Sequence, residues 1–301
     1  HNYLVKDADS LQYTLIEAFH VASSGRPGPV LIDLPKDVLM TNTVYRKQPD
    51  RAAAQVRYSP QTDPDPATIR ATVDILMRAE RPIIYGGGGL INSGPRASEL
   101  LTELVHMTGW PTTLTLMGLG ALSADDRHFL GMLGMHGTYE ANMAMHEADL
   151  ILALGARFDD RVTNNPDKFS PKATIVHLDV DPASVDKIIS SDIALVGDAQ
   201  WVLNTFWGAY QEQESLRDDA ARQKQQQDME QWWQQIAQWR SAHGLNHNLE
   251  PKKDQSILPQ LAVQTLYRVT EGEAFVTSDV GQHQMFAAQY YHFDEPRRWI
   301  N

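Results

Sequence analysis

From about residue 67 the sequence alternates, with little slack, between amphipathic stretches of helical period and short apolar runs that stop on glycine or aspartate. The spacing predicts helices over 67–79, 95–108 and 138–147, and strands over 82–85, 112–116, 150–154, 174–178 and 194–196. A further helix is expected after Gly197-Asp198. Strands apolar along their whole length and separated by helices are satisfied in a parallel sheet covered on both faces. The fold class expected is therefore α/β, with a doubly wound parallel-sheet central domain.

The flanks do not complete a domain of their own. Residues 10–22 place Leu11, Leu15, Ala18, Phe19 and Ala22 at helical spacing, and a Gly-Arg-Pro-Gly-Pro turn from Gly25 leads to a short strand over 30–34 closed by Pro35. One helix and one strand read as the tail of something larger. Residues 44–66 carry Pro49, Pro60, Pro64 and Pro66 in polar surroundings, a linker signature. Residues 211–255 are rich in Gln, Asp and Glu, yet Met229, Trp232, Ile236 and Trp239 form one apolar helix stripe, which reads as a packing face. A new unit starts near Ser256, with a helix over 256–269 and a strand over 274–278. The chain begins on His1 rather than Met and stops on Asn301, and both ends read as cuts. The organisation expected is a domain tail over 1–60, a complete central domain over 61–210, a helical linker over 211–249 and a domain head over 250–301.

Composition narrows the function classes. A formal net charge of −12 argues against a nucleic-acid surface, which needs clustered Lys and Arg. It leaves an anionic cofactor open, because local basic groups and backbone N–H donors override the global sign. The absence of cysteine excludes disulfides, thiolate metal sites and a Cys nucleophile. No apolar run approaches the roughly 18 residues that span a bilayer, so no membrane role is expected. The eleven histidines show no H-E-x-x-H spacing, and there is no G-x-S-x-G elbow.

In an open parallel sheet, ligands bind beyond the carboxyl ends of the strands. Those ends carry Gly87, Gly88 and Gly89; Thr115, Leu116 and Met117; Gly155 with Arg157; Asp179 with Asp181; and Gly197 with Asp198. Glycine there lets phosphates approach the backbone, Arg157 and Arg161 supply cationic forks suited to a pyrophosphate, and Asp179 is placed to accept from a ribose or an adenine amine. Each alone reads more often as a turn or a cap than as a ligand site; together they point to a dinucleotide. The nicotinamide fingerprint G-x-G-x-x-G is absent, which disfavours an NAD dehydrogenase. His136 and His283 sit in glycine-containing loops, where a structural histidine is the default.

Several strings occur together in one order: Gly25-Arg26-Pro27-Gly28-Pro29 with Pro35-Lys36-Asp37, Leu116-Met117-Gly118-Leu119-Gly120, Met132-Leu133-Gly134-Met135-His136-Gly137-Thr138, Arg157-Phe158-Asp159-Asp160-Arg161-Val162-Thr163, Gly281-Gln282-His283-Gln284-Met285, and Pro296-Arg297-Arg298-Trp299-Ile300. Apart from the Gln-rich stretch, nearly the whole chain resembles the acetohydroxyacid synthase (acetolactate synthase) large catalytic subunit of the thiamine-diphosphate enzymes, in its bacterial biosynthetic form. The Arg-Phe-Asp-Asp-Arg and Gly-Gln-His-Gln-Met strings are specific; Gly-Arg-Pro-Gly-Pro and the glycine run are shared more widely in that family.

The resemblance implies a partial pyrimidine-binding domain, a central FAD-binding domain and a partial pyrophosphate-binding domain. It implies FAD contacts from Arg26, Gly87, Gly88, Gly89, Thr115, Leu116, Met117, Gly134, Met135, His136, Gly155, Arg157, Asp159, Arg161, Val162, Leu178, Asp179 and Asp198. Val280, Gly281, Gln282 and His283 would face thiamine diphosphate, and Lys36, Asp160 and Arg161 the substrate channel. The implied reaction is decarboxylation of pyruvate and carboligation to a second 2-ketoacid, pyruvate or 2-ketobutyrate, at the start of branched-chain amino-acid synthesis. Implied too are Mg²⁺, a cytoplasmic setting, a homo-oligomer (dimer or tetramer) and a small regulatory subunit. The alternatives are glyoxylate carboligase or another FAD-carrying relative such as pyruvate oxidase, and a non-catalytic nucleotide-binding module. The family's catalytic glutamate and its Gly-Asp-Gly Mg²⁺ motif have no counterpart in the sequence. The 301 residues alone are therefore expected to be inactive; acetolactate detected from pyruvate with this chain alone would overturn that expectation.

Overall fold

A computed structural model describes residues 1–45, 58–60, 63–247, 249–251 and 256–301. The chain forms two units, His1–Thr62 and Asp63–Asn301. Most of the expected linker after residue 44, with Pro49, lies outside the described residues.

In the first unit, β1 (Asn2–Leu4) pairs in parallel with β2 (Leu31–Asp33), Tyr3 opposite Ile32. The expected helix is α1 (Leu11–Ser23), and α2 (Lys36–Leu39) starts directly after Pro35. β1, with only three residues and no readable period, was not expected. Val5, Ala8 and Val38 form a small core with Leu11, Ile32 and Leu34 packed against it. Gly25 has φ +60°, and a Cβ there would meet the Tyr58 hydroxyl at 2.8 Å.

The second unit opens with α3 (Pro66–Leu76), capped by Asp65, which accepts from the Ala67 N–H at 3.1 Å, with proline in the first turn. A six-stranded, all-parallel sheet follows, made of β3 (Pro82–Gly86), β4 (Thr112–Leu114), β5 (Phe129–Met132), β6 (Leu150–Leu154), β7 (Thr174–Asp179) and β8 (Ile193–Val196). Its spatial order is β5-β4-β3-β6-β7-β8. The chain winds outward from β3, then crosses back to lay β6 beside it, so the winding reverses between β3 and β6.

Side-chain alternation divides the interior into two layers. Ile84, Leu152, Val176 and Leu178 face a core shared with α3, α5 (Pro95–Thr108) and α8 (Ala199–Leu216). Ile83, Tyr85, Ile151, Ala153 and Ile175 face the other, with α6 (Tyr139–Glu147) and α9 (Asp219–His243). Every residue of β3 and β6 is buried, which is why they read as unbroken apolar runs. The stripe on α9 is a packing face: Trp232 and Ile236 are buried, Met229 and Trp239 flank them, and the Trp232 indole N–H donates to the Pro82 carbonyl at 3.0 Å. Residues 211–249, expected as a linker, thus hold the end of α8 and a helix seated against the sheet layer.

One local reading is corrected, and two elements were not read from the sequence. The strand expected over 112–116 ends at Leu114, because Leu116–Gly118 turn into a 3-10 helix and the Gly118 N–H donates to the Thr115 carbonyl at 2.9 Å. A short helix, α4 (Gly88–Ser93), starts inside the glycine run. β5 was not expected; it is a sheet edge with alternate residues half-exposed and a glycine in its middle, so its apolar signal is weak. Residues 256–301 supply α10 (Pro259–Thr270), β9 (Val276–Thr277), α11 (Gln282–Tyr290) and β10 (Trp299–Ile300), the two strands pairing in parallel. Tyr291, Phe293 and Trp299 join the first core.

Trp232→Ala removes a buried indole and its hydrogen bond to β3. It should lower unfolding free energy by about 3–5 kcal/mol, read as a reduced denaturant midpoint at unchanged slope.

Candidate functional site

The winding reversal puts the ends of β3 and β6 side by side, and glycine lets their backbones touch. The Gly87 N–H donates to the Leu154 carbonyl at 2.9 Å and the Gly89 N–H to the Gly155 carbonyl at 3.0 Å. A Cβ on Gly87 would lie 2.3 Å from the Gly155 oxygen; one on Gly89 would lie 2.6 Å from Gly155 Cα. Gly155 itself has φ +61°, and its Cβ would lie 2.5 Å from Gly89 Cα. The first demand on these glycines is thus chain meeting chain, rather than a phosphate meeting chain. The same edge continues outward. The Thr115 N–H donates to the Gly86 carbonyl, the Gly155 N–H to Leu178, and the Gly197 N–H to Asp179, at 2.8–3.0 Å. Strand ends far apart in sequence therefore share one rim.

From that rim projects the loop after Gly155. Phe158 is buried with φ +53°, a conformation costly for an aromatic residue. It is held by rings on three sides: Tyr85 at 5.6 Å, Phe169 at 5.8 Å and His177 at 5.1 Å between centroids. His177 also reaches the loop backbone, its Nε2 lying 2.8 Å from the Ala156 carbonyl oxygen. A carbonyl only accepts, so Nε2 carries the hydrogen and the imidazole is neutral with Nδ1 bare; burial pushes its pKa down, against the pull of Asp179. Burying Phe158 leaves its neighbours Arg157 and Asp159 outward, paired at 2.6 Å, with Arg157 62% exposed. Asp159 caps the short helix α7 (Asp160–Thr163). The Asp160 side chain, then the Arg161 N–H and the Arg157 charge, hold Asp159 below the usual carboxylate range against its partial burial. Tyr85, on β3 below, has a buried hydroxyl with no hydrogen-bond partner among the described residues, and burial followed by the Asp159 charge raises its pKa.

The loop Gly134-Met135-His136 is tied to this one. The Met135 N–H donates to the Arg161 carbonyl at 2.9 Å, and a Cβ on Gly134 (φ +94°) would lie 2.5 Å from that oxygen. Asn142, on α6, clamps the loop by accepting from the Gly134 N–H and donating to the Gly134 carbonyl, both at 3.1 Å. Gln289 donates to the His136 carbonyl at 2.7 Å. Sequence reading missed both amides; Asn142, four residues past Thr138 at the start of a helix, was the readable one. Met117 and Met135 are exposed on the rim, while Val162 is half-buried.

The carboxylates differ in capacity. Asp198 caps α8 with one oxygen, accepting from the Gln200 and Trp201 N–H groups, and takes the Ser93 hydroxyl at 2.8 Å with the other. Asp181 accepts from the Ala183 N–H. Asp179 spends one oxygen on the Asp181 N–H at 2.8 Å, and its second has no partner among the described residues. Leu178 has a buried side chain, so it can offer a ligand only its backbone.

Two groups of expected residues belong to other segments of the chain. Arg26 and Lys36 are exposed in the first unit, Lys36 opening α2. Val280, Gly281, Gln282 and His283 lie between β9 and α11; Gly281 caps the helix, and Val280, Gln282 and His283 are exposed.

Residues 69–206, which contain the whole sheet, match the family model for the thiamine pyrophosphate enzyme central domain. Over that stretch the chain is similar to this family's central domain. Along its full length it is also homologous to acetolactate synthase large subunits. It is 47% identical over 302 residues to the isozyme 3 large subunit of Escherichia coli (strain K12), 45% over 301 to the large subunit of Haemophilus influenzae, and 44% over 301 to that of Buchnera aphidicola subsp. Schizaphis graminum. Each match covers 100% of this chain and 50% of the relative, so the chain spans about half the length of the curated relatives it matches.

Gly155→Ala forces a side chain into Gly89 at a left-handed φ. It should cost more than ~2 kcal/mol and lower the melting temperature by several degrees. His177 gives a pH signature. Its folded pKa lies below the unfolded value, so the unfolded chain takes up the proton first and stability falls as pH drops below about 6.5. Chemical denaturation at about pH 7.5 and pH 5 should show this loss, and His177→Gln should shrink the difference.

Proposed function

We propose that this chain is part of an acetolactate synthase large subunit and that its rim holds FAD. The whole-chain similarity to such subunits carries this reading, and the rim supports it. Arg157 and Arg161 stand exposed as donors for a pyrophosphate, and Asp179 keeps one oxygen for a ribose hydroxyl or an adenine amine. Gly88, Gly89, Thr115, Met117, Met135 and His136 belong to the segments that leave the same edge. Asp198, with both oxygens engaged, would act by fixing the start of α8 rather than by contact.

For thiamine diphosphate, Gly281, Gln282 and His283 suit the diphosphate, because no side chain caps the start of α11 and a helix N-terminus favours negative charge. Mg²⁺ would accompany that diphosphate. Thiamine diphosphate supplies an electron sink for decarboxylation of a 2-ketoacid. The chain's own part is to orient both cofactors and, through Asp160 and Arg161, to admit pyruvate and then pyruvate or 2-ketobutyrate. The domains would be a pyrimidine-binding part over 1–60, an FAD-binding domain over 61–210 with its helical extension, and the start of a pyrophosphate-binding domain from 250. A homo-oligomer with a small regulatory subunit, in the cytoplasm, is the proposed setting.

The whole protein should form acetolactate from pyruvate alone and acetohydroxybutyrate once 2-ketobutyrate is added. Tartronate semialdehyde from glyoxylate as the main product would instead favour the carboligase. Arg157→Ala, at an exposed position, should weaken FAD binding about tenfold or more, as expected for a charge-assisted hydrogen bond worth ~1.5–3 kcal/mol, with an unchanged melting temperature. Quenching of flavin fluorescence on titration reads the affinity directly.

A further inference from the structure

At the opposite, amino edge of the sheet, three metal-ligand side chains converge. His106 lies in the last turn of α5, which leads into β4. Asp126 and His128 lie in the tight turn before β5, where the His128 carbonyl accepts from the Thr112 N–H. The Asp126 carboxylate sits between two imidazoles, 2.6 Å from His106 Nε2 and 2.8 Å from His128 Nδ1. All three candidate donor atoms lie within 4.8 Å of one another. We propose that His106, Asp126 and His128 bind a divalent first-row transition-metal ion of the Zn²⁺ type.

The donor set, two imidazole nitrogens and one carboxylate oxygen, suits such an ion and leaves a fourth position for water. The groups are held in place without the ion. Asp126 also accepts from the His128 N–H at 2.8 Å, and the His128 ring packs against Trp233, whose indole N–H donates to the Gly109 carbonyl at 2.8 Å. Burial pushes the Asp126 carboxyl upward, but the His128 N–H and the two imidazoles outweigh it and keep it anionic. His106 is 56% exposed, which gives the ion a way in. Bonds of ~2.0 Å in a tetrahedron put donors about 3.3 Å apart, so the cluster must open by roughly half an ångström.

Binding also demands a tautomer change at His128. Arg127 Nε donates to His128 Nε2 at 3.2 Å, and arginine cannot accept, so Nδ1 now carries the hydrogen and gives it to Asp126. A metal on Nδ1 moves that hydrogen to Nε2, facing the guanidinium. The exposed Arg127 must swing away, and it opposes the ion both as a donor and as a cation.

Titration of the purified protein with Co²⁺, with excess Mg²⁺ present, should develop visible d–d absorption at one equivalent, displaced by Zn²⁺. His106→Ala, at an exposed site, should weaken binding at least tenfold, and Asp126→Asn should abolish it with the circular dichroism retained. Arg127→Ala should tighten binding several-fold, which a chance surface histidine would not do. An absent band overturns the proposal, as does a band that survives both His106→Ala and Asp126→Asn. An Arg127→Ala affinity equal to or below the wild-type value overturns the tautomer account.

Discussion

The contact on which the carboxyl edge depends is backbone against backbone: Gly87 and Gly89 pressed on Gly155 where the sheet reverses its winding. A parallel sheet built outward from two adjacent strands leaves a crevice between the loops that depart to opposite faces. Here that crevice is drawn tight, since any Cβ at these glycines would lie within 2.7 Å of a backbone atom across the seam. The closeness fixes where the following segments start. α4 departs from one side of the seam, and the Arg157 loop departs from the other.

What happens to that loop next is a matter of burial against strain. Phe158 could relax its positive φ by leaving the core, but that would expose a ring packed on Tyr85, Phe169 and His177. Burying a phenyl ring contributes about 1.5–3 kcal/mol, against the ~1–2 kcal/mol that a left-handed residue costs, so burial wins. The consequence is directional. With Phe158 inward, Arg157 and Asp159 are outward, and Asp159 can cap α7 and so place Arg161. His177 secures the same loop from below by its donation to Ala156.

The layers of the sheet were legible because fully buried parallel strands leave an unambiguous mark: 82–86 and 150–154 are apolar throughout, and their neighbours end on glycine or aspartate. The packing role of Trp232 and Ile236 was legible for the same reason, since a helical stripe within a Gln-rich stretch has few other uses. β1 and β5 were not. The one is too short for a period, and the other is an edge strand with a glycine that φ +88° makes obligatory. The glycine run was half legible. Its place at the strand end was plain, but a sequence cannot say whether a missing side chain makes room for a ligand or for Gly155, sixty-odd residues away. Gln289 stayed hidden because an amide that clamps a loop looks, in sequence, like any polar residue on a helix.

Hydrogen-bond capacity then sorts the acidic residues that sequence alone treats alike. Asp179, Asp181 and Asp198 all follow strands and all read as caps or as ligands for a sugar. A carboxylate has two oxygens, and protein donors claim them in order of proximity: N–H groups at the starts of turns and helices come first because they have no other partner. Asp198 is fully committed to α8 and Ser93, and Asp181 to its own turn. Asp179 keeps an oxygen because, among the described residues, the Asp181 N–H is the one donor to its carboxylate. Half-engaged, it is held in one rotamer yet able to accept, and that combination is what a hydrogen-bonded ligand at a sheet edge requires.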